Sequence, residues 1–437
     1  MLPPRLPLKE RHTREKQMGE QGDAGTFAAA LVRDSLGLPS GSLKGSDLPR
    51  RLVSEIESTM RGREPKNMER LLLEERIAAL LPRIERDSLE SDGYFVRKER
   101  WPSGAEFAVA LTHDVDNVSR PWAHILKIQD RFDPHEVDLA RRGRLSLYNN
   151  LRYIAERERE AGFRSSFYLM SANYPLGELK GETERLLAGG WDVGLHGDFG
   201  THASLARMKR AVADFRDGLG FKPGGVREHY LKFDYAKSWQ VMDAAGFDYD
   251  TTVGNTDRLG FRLGLTTPFH PPDARWRPLR LLELPLSLMD TTLWGYLHKS
   301  EEGGMQDVLR SLGTVSRVGG LFTLLWHQEA VRMRGGRTYW KVLEGLGRMR
   351  KRCFVGSGAD ISRWWKGREV ALKATGSLIT LGSRPPRGLT LSLGVKKGLR
   401  IKVIRGSFLK VKGQIGEPFD RYRVVPNDRG FELEVLK

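Results

Sequence analysis

The stretch Ala108-Val-Ala-Leu-Thr-His-Asp-Val-Asp116 is an apolar run that ends abruptly in Thr112, His113, Asp114 and Asp116. Such a run predicts a buried parallel strand whose apolar part fills a core and whose polar end opens onto the face where α/β barrels keep their chemistry. Two carboxylates two residues apart at that end can divide the labour, Asp114 as a general base and Asp116 as a metal ligand. A turn or a helix cap accounts for the same aspartates if this stretch is read alone. The segments that follow decide between the two.

From Glu106 to about Trp365 short apolar strands alternate with amphipathic helices. Strands are expected near Phe107 to Leu111, Ser165 to Leu169, Asp192 to Leu195, Gly225 to Val226, Phe247 to Asp250, Leu281 to Leu286 and Leu321 to Trp326. Helices are expected over Leu151 to Ala161, Ser204 to Gly218, Tyr235 to Ala245, Met305 to Val318 and Tyr339 to Lys351. The pattern predicts an α/β fold, a distorted (β/α)7 TIM-like barrel. Strand after strand ends in a residue able to ligate, ionise or donate: Asp114 and Asp116, His196, Arg227 with His229, Asp250, Asp290 and His327. A site built at the C-terminal ends of several strands requires that placement, whereas chance would scatter these residues through helices and loops.

With 437 residues and 39% hydrophobic content the chain is long enough for more than one globular unit. No run of about 18 apolar residues occurs, and the N-terminus lacks the features of a secretory signal, so a cytoplasmic protein without a membrane span is expected. The single cysteine, Cys353, cannot form an internal disulfide and reads as an ordinary residue near a helix end. Residues 1–100 read as a flexible leader to Gly25 followed by a helical extension. One of its helices runs from a Ser46 cap to Arg61. Another follows an Asn67 cap, with Leu71, Leu72, Ile77, Leu80 and Leu81 at helical spacing. Residues 101–365 form the barrel. Residues 366–437 alternate in Leu389 to Leu393, Arg400 to Ile404 and Phe431 to Val435, which predicts a small antiparallel β sandwich. That last module holds 16 Lys+Arg against 6 Asp+Glu, +10 of the chain's +17, and so offers a contact for a polyanion.

His196 and His202, six apart just beyond a strand, can join Asp116 in a site for a divalent metal, zinc foremost, that stays open to water. Arg227, leaving a strand, can clamp Asp114 or Asp290 through bidentate hydrogen bonds. His327, at the end of the last strand, can protonate a leaving group.

In order and character these motifs resemble those of the polysaccharide deacetylase family, the metal-dependent carbohydrate esterases that include chitin and peptidoglycan deacetylases. The resemblance spans about 230 residues. The family's Thr-Phe-Asp-Asp motif implies Asp114 as base and Asp116 as ligand, here with Val115 inserted. Its His-Ser/Thr-X-X-His motif matches His196, but Gly200 stands at the second histidine's place, leaving His202 or His229 to supply the second imidazole. Its Arg-X-Pro-Tyr motif is similar to Arg227-Glu228-His229-Tyr230, which implies Arg227 as orienter of the base and the Tyr230 amide as oxyanion donor. Asp290 resembles the fourth-motif aspartate and His327 the general acid.

The resemblance implies a barrel of the glycoside hydrolase/deacetylase type. It also implies metal-assisted removal of an acetyl group from an N-acetylated sugar or polysaccharide precursor. Three rivals stand beside it: a catalytically silent glycan-binding barrel, a hydrolase of another C–N bond such as a cyclic imide or ureide, and a nucleic-acid-binding protein driven by the basic tail.

Overall fold

In the computed structural model, residues 22–64, 71–411 and 418–436 are described. The parallel strands of the centre are β1 (Phe107–Val115), β2 (Ser166–Met170), β3 (Asp192–Gly197), β4 (Gly225–Glu228), β5 (Tyr249–Asp250), β6 (Leu282–Glu283), β7 (Leu286–Met289), β8 (Leu321–Leu325) and β9 (Cys353–Gly356). Neighbours follow the order β6-β5-β4-β3-β2-β1-β8-β7, with β9 beside the first half of β1.

The two ends of that path are consecutive in sequence. β6 and β7 are one stave interrupted at Leu284-Pro285. The Leu284 and Leu286 amides still bond the Asp250 and Val253 carbonyls on the β5 side, while Leu286–Met289 pairs with β8. Proline removes a ladder donor, so the break falls there, and the stave closes the sheet into a distorted barrel of seven staves. Each of the seven expected strands is present, and β1 is buried along its whole length. β9 was not expected. Cys353 opens this strand, where the sequence read as the end of a helix.

Helices Leu151–Ala161, Leu205–Leu219, Ser238–Ala245, Glu301–Val318 and Arg337–Arg348 pack around the barrel at their expected places, with ends shifted by a few residues. The helical extension begins at Ala24, within the last residues expected of the leader. Residues 1–21 and the proposed Asn67 cap lie outside the described residues. Ala24–Leu36, however, is a helix capped by the Asp23 side chain, which accepts from the Thr26 amide, and its Phe27, Leu31 and Val32 are buried. The Ser46 helix is a 3₁₀ turn, Gly45–Asp47, followed by Arg50–Met60, because Pro49 disfavours helical backbone at the residue before it. The run from Leu71 makes two helices, Leu72–Ala78 and Leu81–Ser91. Pro82 sits in the first turn of the second, where its missing N–H costs nothing.

The C-terminal part is a two-sheet antiparallel sandwich, as its alternation predicts. Phe431, Leu433 and Val435 point inward and are buried. One sheet orders Tyr94–Lys98, Leu391–Lys396, Phe419–Val425 and Ser407–Val411. The other orders Leu372–Thr375, Leu378–Leu381, Phe431–Leu436 and Arg400–Arg405. The sandwich therefore takes a strand from ahead of the barrel, Tyr94–Lys98, paired with Leu391–Lys396. Its core is continuous with Ala108, Ala110, Tyr249, Leu282 and Leu321 at the N-terminal ends of the barrel strands, through Ile361, Trp364 and Trp365. The opposite, C-terminal end of the barrel is left open.

Candidate metal centre and active site

At that open end a cleft of about 950 Å³ is lined by Asp114, Asp116, His196, His229, Tyr230, Asp290 and His327 among others. β1 ends in Asp114 and Asp116, β3 carries His196, β4 carries Arg227 and leads to His229, β7 leads to Asp290 and β8 to His327.

Asp116, His196 and His229 are arranged so that they could hold a cation. Their ligand atoms lie within 4.8 Å of one another, the one such group among the described residues. His196 Nε2 is 3.1 Å from Asp116 Oδ1 and 3.1 Å from His229 Nδ1, which is 3.5 Å from the same carboxylate oxygen. On the other side of the ring His196 Nδ1 stands 2.9 Å from the Arg227 carbonyl, which makes Nδ1 the donor and turns the Nε2 lone pair into the cluster. A proton on His229 Nδ1 can satisfy His196. It leaves Asp116 Oδ1, which is buried and has no aligned hydrogen-bond donor. A cation among the three serves all of them, and one carboxylate with two imidazoles is a donor set that zinc and its neighbours accept.

The electrostatics agree. Burial alone would raise the Asp116 carboxyl, yet the two imidazoles beside it hold it well below the usual carboxylate range. Burial alone would depress His196, yet Asp114 and Asp116 together raise it, so the pocket draws positive charge.

His202 is outside this cluster. It lies in the turn Thr201–Ala203, and its buried Nδ1 has no partner. Ser204 caps helix Leu205–Leu219, its side chain accepting from the Arg207 amide. Gly200, four residues beyond His196, has φ +85. A histidine is disfavoured at such a position, and the imidazole that lies beside Asp116 and His196 is that of His229, just past the neighbouring strand. Beyond His229 the chain turns sharply, with Tyr230 and Leu231 both in the left-handed region at φ 55 and 51. Two bulky residues in succession there mark stored strain, common where a turn is shaped for a site. Tyr230 is exposed on the cleft wall, its ring centroid 4.0 Å from that of His229.

Two further pairs flank the cluster. Arg227 is fully buried and donates through Nη1 to Asp114 Oδ1 at 3.0 Å and to Thr112 Oγ1 at 2.8 Å, and through Nε to the Thr251 carbonyl at 3.0 Å. Of the two partners open to it in the sequence, Asp114 is the one it meets. Asp114 Oδ2 is left 3.8 Å from His196 Nε2. Asp290, also buried, accepts from the His327 amide at 2.9 Å and lies 2.7 Å from His327 Nδ1. Burial opposes charge on His327, but Asp290 above all, then Asp116 and Asp114, push its pKa well above that of a free imidazole.

Asp250, which the sequence places in the same series of strand ends, is not in the cleft. It is buried beside Glu283 on the next strand and accepts from the Thr252 amide. Sequence reading passed over His113. Its Nδ1 faces the Trp326 carbonyl at 2.7 Å and its Nε2 faces Glu158 Oε1 at 2.9 Å, both buried, so it ties β1 to the residue before His327. Its position between Thr112 and Asp114 was the available signal, but a strand alternates faces, and only the packing helix Leu151–Ala161 supplies Glu158.

No family model matches the chain, and no curated protein matches it. Among solved structures it is similar to a Mycobacterium smegmatis protein described as a polysaccharide deacetylase, at 17% identity over 63% of this chain and 95% of that one, with a TM-score of 0.47. It is similar to the Puue allantoinase at 14% identity over 61% and 93% of the two chains, with a TM-score of 0.45. It is also similar to the family 4 carbohydrate esterase of Streptomyces lividans, at 14% identity over 58% and 93%, with a TM-score of 0.32.

Proposed function

We propose that this chain is a metal-dependent hydrolase that removes the acetyl group from an N-acetylated sugar or polysaccharide precursor. The observation that carries the reading is the convergence, in one cleft, of a three-atom cation site with an arginine-held carboxylate on one side and a carboxylate-held imidazole on the other.

Asp116, His196 and His229 would hold a divalent metal, zinc foremost, which when bound supplies a polarised, more acidic water and a Lewis acid for the substrate carbonyl. Asp114 is the base that accepts a proton from the attacking water. Arg227 occupies its Oδ1 and keeps Oδ2 turned toward the cluster. His327 holds a proton at Nε2, because Asp290 engages Nδ1 and favours the imidazolium, and delivers it to the departing nitrogen. The Tyr230 amide, in the strained turn at the cleft wall, is assigned as a donor to the oxygen that gains charge.

Acetate release from N-acetylglucosamine oligomers and from a nucleotide-linked N-acetyl sugar, measured on the zinc-loaded chain beside a cyclic ureide, tests the reading. Release that ends on chelation and in Asp114→Asn is the expected result. Turnover of the ureide alone would move the assignment to another C–N bond. A metal-loaded chain that binds sugar without turnover would make it a glycan-binding barrel.

A further inference from the structure

A second pocket, of about 360 Å³, shares no lining residue with the cleft. Helix Ala24–Leu36, the segment 265–270 and residues at and just past the end of helix Gly358–Gly367 contribute to its wall. Part of that wall is apolar, with Phe27, Leu31, Leu38 and Phe269 all buried side chains. Another part carries Arg33, Lys98 and Arg368.

Lys98 and Arg368 are held by main-chain carbonyls rather than by carboxylates. Arg368 is 2% exposed and donates through Nε to the Glu99 carbonyl at 3.1 Å and through Nη2 to the Asp34 carbonyl at 2.9 Å, with its guanidinium carbon 4.3 Å from the centre of the Trp365 ring. Lys98 Nζ donates to the Arg368 and Val370 carbonyls at 2.8 and 3.2 Å. These bonds use neither Arg368 Nη1 nor the third ammonium proton of Lys98, and neither side chain forms an ion pair among the described residues.

The two acids that line the same pocket are exposed and already engaged, Asp34 Oδ1 at 4.0 Å from Arg33 Nε and Glu369 Oε1 at 2.7 Å from His270 Nε2. Their charges are matched there, and those of Lys98 and Arg368 are not. Burial lowers the pKa of both, that of Lys98 to about 8, and the next largest effect on each comes from another cation, Arg368 on Lys98 and Arg100 on Arg368. Buried cations are ordinarily paired, because taking charge out of water is costly without a counter-charge.

The lining selects the ligand. The planar fork of an arginine fits a carboxylate or a phosphate, and an ammonium beside it adds a point charge. The apolar wall favours a hydrocarbon or aromatic body over a bare inorganic ion. We propose that the pocket formed by Lys98, Arg368 and Phe27 binds a small organic anion, with a carboxylate or phosphate head on an apolar body. This site stands apart from the reaction assigned to the cleft.

Calorimetric titration of the full chain near neutral pH with benzoate, phenyl phosphate, inorganic phosphate and benzyl alcohol tests it. Each aromatic anion is expected to bind at least about tenfold more tightly than benzyl alcohol, which lacks the charge, and than inorganic phosphate, which lacks the apolar body. Tighter binding of phenyl phosphate than of benzoate assigns a phosphate head, and the reverse a carboxylate. Lys98→Met is expected to weaken both by about tenfold or more, and Lys98→Arg to stay within about threefold of the parent. Asp116→Ala, which alters the cleft, is expected to bind them as the parent does. Circular dichroism checks that the three variants are folded. Benzyl alcohol or inorganic phosphate binding as tightly as the aromatic anions, or no binding of any of the four, would overturn the proposal. So would a folded Lys98→Met variant that binds like the parent, or loss of binding in Asp116→Ala.

Discussion

His196 Nε2 and His229 Nδ1 face each other at 3.1 Å across a strand boundary, with the unpaired Asp116 Oδ1 closing the triangle. A proton on His229 Nδ1 can pair the two imidazoles, but Asp116 Oδ1 is then left without a donor, a place that a cation held by all three would fill. His229→Ala is accordingly expected to weaken zinc affinity by at least about 100-fold, and His202→Ala to leave it close to the parent value. Metal content by mass spectrometry and zinc titration calorimetry read both, and a larger loss in the His202 variant would reverse the ligand assignment.

Asp114 is held by Arg227 rather than by the three-atom cluster, so base and metal site are separable. Asp114→Asn should keep metal content near that of the parent and lower kcat by about 10²- to 10⁴-fold. Parallel loss of metal in this variant would make Asp114 a ligand instead.

Asp290 raises His327, and a general acid is lost as pH climbs through its pKa. In Asp290→Asn the alkaline limb of the kcat/KM profile should therefore move to lower pH, with the acid limb little changed. An unmoved alkaline limb would remove His327 from the acid role.

Burial raises both members of the Asp250 and Glu283 pair, Asp250 to about 6 and Glu283 well above its usual value, their proximity adding to the shift in Glu283. The folded chain binds these protons more tightly than the unfolded one, so their contribution to stability is complete in acid, and Asp250's share is lost as pH rises through about 6. Asp250→Asn/Glu283→Gln should lose less stability than the parent between about pH 5 and about pH 8, measured by urea denaturation at each. A steeper loss in the variant would contradict the raised protonation of the pair.

His113 and Glu158 are a buried pair whose remaining atoms are also bonded, Glu158 Oε2 accepting from Ser165 and Trp191. Burial opposes the Glu158 charge, but His113, with Tyr339 and Trp191, lowers the carboxyl. His113→Leu leaves that charge unpaired and should cost about 3–5 kcal/mol, with part of the loss restored in His113→Leu/Glu158→Leu. Denaturation midpoints compare the three chains. A single variant as stable as the parent would show the pair to be neutral.

The sequence by itself determined the seven barrel strands, the outer helices and the alternating C-terminal sandwich. Each follows from a periodicity of 2 or 3.6 that neighbouring residues carry on their own. It also determined which end of the barrel is polar, because Asp114, Asp116, His196, Arg227, Asp290 and His327 each follow an apolar run. Tertiary structure alone decided which polar residues meet. His202 is nearer to His196 in sequence than His229 is, but residue 200 is left-handed and the chain leads away. His229 comes in through the parallel pairing of β3 with β4 and a turn with two positive φ angles. The same holds for Tyr94–Lys98, whose partner strand lies almost three hundred residues on, and for β9, a four-residue strand too short for its pattern to stand out. Local pattern specifies elements and faces. Contacts between residues distant in sequence depend on how whole elements pack, and that information is spread over the chain rather than written in any one segment.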